Sequence, residues 1–251
     1  MGLIQSKQGS GSASPLNITL DNPTTAGNTL IILIAASGTS ANPTSVSGAT
    51  LGGAADNFAQ DATFGSASDA AIGATWSDPA CTGGQTAVAI STSGGSGTLA
   101  LIAAVYEWSG LIASHAAFDQ SANSVSGGST SWTSTATGTT AQAAEVAFGA
   151  VFCTDASAGT ITGPSSPWNN LTQVNQVQGA FNDSWMSGYQ ILSSVGTVTY
   201  NGTVAPSQQW ISKVVTFKVN ITSGPVFMPS VRRLPAVAVS NSGWRNAGHS
   251  R

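Results

Sequence analysis

Apolar residues enter this chain in short runs, and each run is closed by Gly, Ser, Thr, Asn or Pro. Turn residues recurring about every 8–12 positions mark the strands and turns of a β-sandwich or barrel, and the i, i+3, i+4 spacing of an amphipathic helix is almost absent. Residues 16–20 alternate and stop at Asp21-Asn22-Pro23. Ala26-Gly27-Asn28 then opens residues 29–36, an apolar run typical of a buried strand. Residues 45–51 and 57–64 read as a strand pair around Gly52-Gly53, and 70–77 and 86–91 as two more, separated by Asp78-Pro79 and Gly83-Gly84. The strongest run, 98–108, carries Leu99, Leu101, Ala103, Val105, Tyr106 and Trp108 and predicts a central strand closing at Ser109-Gly110.

A Ser/Gly-rich loop at 121–130 is followed by predicted strands at 131–136, 145–153, 171–178, 184–192, 196–200 and 210–219. Parallel strands would need crossover helices that the sequence does not supply. The expected fold is therefore all-β, an antiparallel jelly-roll-like β-sandwich over residues 15–219, preceded by a flexible N-terminal segment at 1–14. From residue 220 the character changes. Gly224-Pro225, Pro229 and Pro235 exclude a helix and favour extended chain that gains stability by lying along another surface. By charge alone a flexible tail is an equal reading. A solvated tail has no use for Phe227, Met228, Leu234 and Trp244, however, so residues 220–251 are read as an assembly arm that also carries Arg232, Arg233 and Arg245.

Charge sharpens that division. Charged residues make up 7% of the chain, against about a quarter in an ordinary globular protein. No lysine or arginine lies between Lys7 and Lys213, while all ten acids, Asp21 to Asp183, fall inside that gap. An acidic body with a basic arm suits a protein held among copies of itself. It disfavours nucleic acid as the body's partner, and the arginines are assigned to a neighbouring acidic copy in preference to phosphate. No run reaches the length of a membrane span, so no membrane insertion is expected. Residues 1–14 lack a secretory pattern. Cys81 and Cys153 are read as reduced, buried thiols.

Chemistry is sparse. His115 and His249 are the only histidines. Ser114, His115 and Asp119 can be written as a triad, but triad members converge from separate parts of a fold. Glu107 and Glu145 are the candidates for glycoside chemistry, which would require them to share a cleft; strand alternation accounts for both as outward-pointing residues. Asp56, Asp61, Asp69 and Asp78 could gather around loop calcium, although no EF-hand spacing is present. Zinc-ligand spacing and phosphate loops are absent, and no cofactor and no catalytic residue are assigned. Of the seven tryptophans, Trp168 lies in a Pro/Ser/Asn-rich loop and is the one candidate for a glycan platform, set against the plainer reading of a ring plugged onto the end of the sandwich.

Val105-Tyr106-Glu107-Trp108-Ser109-Gly110, then Phe118-Asp119-Gln120, Thr139-Thr140 and Glu145-Val146-Ala147-Phe148-Gly149-Ala150 form an ordered series of short motifs. In this series, and in Ala26-Gly27-Asn28-Thr29-Leu30, the chain resembles a group of uncharacterised β-sandwich modules in tail and other virion proteins of bacteriophages and their prophages. It departs from their pattern in Trp108 before Ser109, in lacking a turn proline ahead of Asp119, and in the basic arm. The resemblance implies a structural or adhesive role without catalytic residues. The expected function is a non-enzymatic virion structural protein, a capsid decoration or minor tail component made in the bacterial host cytoplasm. Its partners would be other virion proteins and copies of itself, through the arm. The alternative is a carbohydrate-binding host-adhesion module, with surface glycan as its partner.

Overall fold

Two antiparallel neighbours, β3 (Thr29–Gly38) and β8 (Leu99–Ser109), run through the middle of the protein with almost every residue buried. Their unbroken apolar sequences are explained by what lies on each side: both faces meet another layer, so alternation has no solvent face to serve. The computed structural model describes residues 1–221 apart from 67, 165, 179 and 180, and within these the chain is an antiparallel all-β sandwich. β3 and β8 belong to a central sheet ordered β1 (Gly2–Gly11), β8, β3, β6 (Ile72–Asp78), β5 (Ala59–Gly65).

One face of the central sheet is covered by a small sheet of β2 (Leu16–Thr19), β7 (Ala87–Ser96) and β4 (Ala41–Leu51). Leu16, Ile18, Leu51 and Ile90 from the small sheet pack against Ile32, Ile34, Leu101 and Val105. The other face meets a large sheet ordered β11 (Thr160–Thr162), β14 (Asn201–Lys218), β10 (Ala144–Asp155), β13 (Phe181–Ser193), β12 (Asn169–Gln178), with β9 (Phe118–Thr133) also paired to β14. Here Tyr106 and Trp108 meet Phe148 at ring-centre distances of 5.1 and 5.5 Å, and Phe217 lies 5.9 Å beyond. Each such ring contributes about 1.5–3 kcal/mol by leaving water. The layers are also pinned by polar bonds: Tyr106 Oη to Ser187 Oγ at 2.8 Å, and Ser37 Oγ donating to Asp183 Oδ2 at 3.2 Å.

The predicted sandwich thus has three stacked sheets, because β3 and β8 offer two apolar faces each. Residues 2–11, expected to be flexible, form edge strand β1 along β8. Residues 121–130, expected to be a loop, lie in β9 along β14. Both are edge strands held by main-chain pairing, and neither needs an apolar side-chain pattern.

Residues 196–200, predicted as a strand, run instead beside residues 134–140 in an irregular ladder over the outer face of the large sheet. Ser134, Thr137 and Thr140 donate their backbone N–H to the carbonyls of Tyr200, Val198 and Gly196 at 2.8, 2.9 and 2.9 Å. In return their hydroxyls accept the N–H of Tyr200, Val198 and Gly196 at 2.9, 2.9 and 3.2 Å. Three residues on one chain are matched by two on the other, so hydroxyls take the place of the carbonyls that a regular strand would offer. Tyr200 seats its ring on Gly149 of β10, where a Cβ would come within 2.3 Å of it. Trp132 and Trp168 flank that ring at 5.0 and 4.7 Å.

Candidate functional site

Glu107 is fully buried and is held by three donors: the Thr25 N–H (2.8 Å) and Asn28 Nδ2 (2.6 Å) at Oε1, and Gln5 Nε2 (2.7 Å) at Oε2. It therefore points inward, contrary to the outward reading, and fastens β1 and the turn after β2 to the central sheet. Glu145 is also fully buried and accepts the Gln142 N–H at 3.3 Å. Burial, with the Asp119 carboxylate adding, holds its pKa above the ordinary carboxylate range.

The two acids do not share a cleft. On β8, Glu107 shares its face with Leu101, Ala103 and Val105, which pack toward the small sheet. On β10, Glu145 shares its face with Ala147, Val151 and Cys153, on the outer side of the large sheet. The core between central and large sheets separates them.

The Ser114, His115, Asp119 arrangement does not assemble either. Asp119 accepts the Ala141 N–H at 2.7 Å and pairs with Lys218 at 3.8 Å. His115 lies in a single turn of 3-10 helix, and its Nδ1 is 3.4 Å from Ser77 Oγ, which donates to Asp61 Oδ1 at 3.0 Å. A bulge in β5 between Gln60 and Ala62 sets Asp61 in this chain, and burial raises its pKa to about 7. The serine, not the histidine, is central, and Ser77 is only 2% exposed. The group joins three elements, and its hydroxyl is turned into the protein.

Of the four acids weighed for calcium, only Asp56 and Asp78 come together. Asp61 is engaged with Ser77, and the Asp69 carbonyl accepts from Asn42. Among the described residues no three His, Cys, Asp or Glu side chains gather as a metal-ligand set. Cys81 and Cys153 are free and buried in different cores, and burial pushes both thiols up.

Trp168 is 9% exposed, its ring packed edge-on against Tyr200. A cleft of about 420 Å³ walled by Pro164, Pro167, Asn201 and Gly202 touches it. Little of the ring is left open, and it packs as a plug over the outer face of the large sheet, the plainer of the two readings of its loop. Phe227, Met228, Arg232, Arg233, Leu234, Trp244 and Arg245 lie outside the described residues.

Every lysine of the described body is engaged. Lys7 pairs with Asp21 at 2.6 Å, Lys218 with Asp119, and Lys213, 1% exposed, donates to the Thr63 carbonyl at 3.2 Å over the Phe64 ring. Burial lowers the Lys213 pKa to about 8. Nothing in the sequence signalled this buried lysine. Ten acids against three lysines give residues 1–221 a net charge of −7, and the four arginines beyond bring the chain to −3. No protein-family model, curated protein or solved structure matches this chain.

Proposed function

We propose that the protein is a non-enzymatic structural component of a bacteriophage virion, a capsid decoration or minor tail protein, joined to neighbouring subunits through residues 220–251. The observation that carries this reading is the charge division: a body of net −7 whose three lysines are all engaged, followed by a segment with four arginines and no acid. Opposite charges on separate parts of one chain favour association between copies. The inward-held Glu107, the oppositely facing Glu145 and the buried Ser77 agree with a scaffold and offer no convergent acid-base machinery. The glycan-binding alternative loses its working part with Trp168 buried.

Light scattering of the full chain and of residues 1–221, at low and high salt, tests the proposal. The expected result is an oligomer for the full chain that dissociates in high salt, and a folded monomer for the truncation. A monomeric full chain, or equal assembly by both, would contradict it.

A further inference from the structure

At one end of the stack the turn at 52–57 meets the loop at 79–85, and two carboxylates face each other there. Asp78 closes β6 and is fully buried. Asp56, held in the left-handed region at φ 42°, brings its own carboxylate within hydrogen-bonding reach of it. Asp56 also accepts the N–H and hydroxyl of Thr82 at 3.0 and 3.3 Å. Neither oxygen of Asp78 accepts a hydrogen bond; the Asn57 N–H is directed at it but falls short of hydrogen-bond geometry. Acceptor faces acceptor, with no donor between.

No side-chain cation of the described body relieves this charge, since Lys7, Lys213 and Lys218 are engaged elsewhere. Glu107 adds to the same negative region, because the Cys81 thiol is raised first by burial and then by Asp78, Glu107 and Asp56 together. Glu107 already has its own donors. Two carboxylates this close in a buried place must share a proton or hold a cation. A shared proton satisfies one Asp78 oxygen and leaves the other buried without a partner, which folded proteins rarely tolerate. Calcium accepts carboxylates through one or both oxygens and completes its shell with carbonyls and water, so it satisfies both.

We propose that Asp56 and Asp78 form a calcium site that clamps the 52–57 turn to the end of β6. The site is independent of the arm and of the virion reading. The test uses the full chain stripped with EDTA, following thermal unfolding against calcium and the emission of terbium sensitised by Trp76, two residues before Asp78.

The expected result is a Tm that climbs with the logarithm of calcium concentration and a terbium signal that calcium displaces. Asp78→Asn and Asp56→Asn should each weaken binding by at least the ~10-fold typical of losing an outer-shell partner, while Asp69→Asn leaves it unchanged. A Tm indifferent to calcium, with Asp78→Asn stabilising at pH 8 and not at pH 5, would identify a shared proton and overturn the site. A calcium response kept by both variants would overturn it equally. Should a variant fail to fold, the calcium dependence of the unaltered chain decides.

Discussion

The central sheet and the large sheet each have a second apolar face to hide, and they hide it by different means. The central sheet is covered by β2, β7 and β4, whose side chains alternate between the core and solvent. The large sheet is covered by chain that forms no strand, in which Ser134, Thr137 and Thr140 lend hydroxyls to the ladder, while Trp168 and Tyr200, with Trp132 from the end of β9, supply the packed surface. A regular sheet satisfies its backbone through its own geometry. In the irregular cover the N–H groups of Gly196, Val198 and Tyr200 each depend on one particular hydroxyl, so single substitutions should act more sharply there.

The largest expected effect is on the irregular cover. Tyr200→Ala empties the seat over Gly149 and removes the ring between Trp132 and Trp168, and should cost about 3–5 kcal/mol in denaturant unfolding. A loss below ~1 kcal/mol would mean that the cover contributes little to stability. Gly149→Ala puts a Cβ within 2.3 Å of the same ring and should cost about 1–3 kcal/mol by overpacking. Ser187→Ala on the inner side of the large sheet leaves Tyr106 Oη without its 2.8 Å partner and should cost about 1 kcal/mol.

Thr137→Val keeps the shape and removes the acceptor of the Val198 N–H. The orphaned amide should cost about 1–2 kcal/mol, and Thr137→Ser should restore most of it. Equal stability of the Val and Ser variants would break the hydroxyl account.

The last effect is one of direction. Burial raises Asp61 and Asp78 to about 7 and Asp183 to about 6. Each raised acid holds its proton longer folded than unfolded. In calcium-free buffer, stability should therefore fall as pH rises from about 4 to about 7. Lys213, lowered to about 8, works oppositely: the unfolded chain binds its proton more tightly, so stability should recover between about pH 8 and 10.5. A Tm profile with its minimum between pH 7 and 8 is the expected outcome; one rising steadily from pH 4 to 7 would contradict it.

Strands with an apolar reason were legible in the sequence. Residues 29–36 and 145–153 fall within β3 and β10, and 98–108 matches β8 to within one residue at each end. Strands held by pairing alone were not: β1 has only Leu3 and Ile4 as large apolar residues, and β9 is largely Ser, Gly and Asn. The site residues were harder still, because their partners are remote in sequence. Glu107 is bound by Gln5, Thr25 and Asn28, and no local pattern around Glu107 announces them. Trp168 looked exposed because its loop is polar; Tyr200, which buries it, lies in a segment that reads as a strand. The charge division, by contrast, needed only the sequence, because net charge does not depend on where the chain goes.

The claim that the large sheet's outer cover is a defined hydrogen-bonded layer is tested most directly by native-state hydrogen exchange. The amides of Val198 and Tyr200, bonded to Thr137 and Ser134 hydroxyls, should be protected, but should open before those of Ile32 and Val105 in the twice-covered strands. Exchange of Val198 and Tyr200 at the rate of free chain would contradict the account.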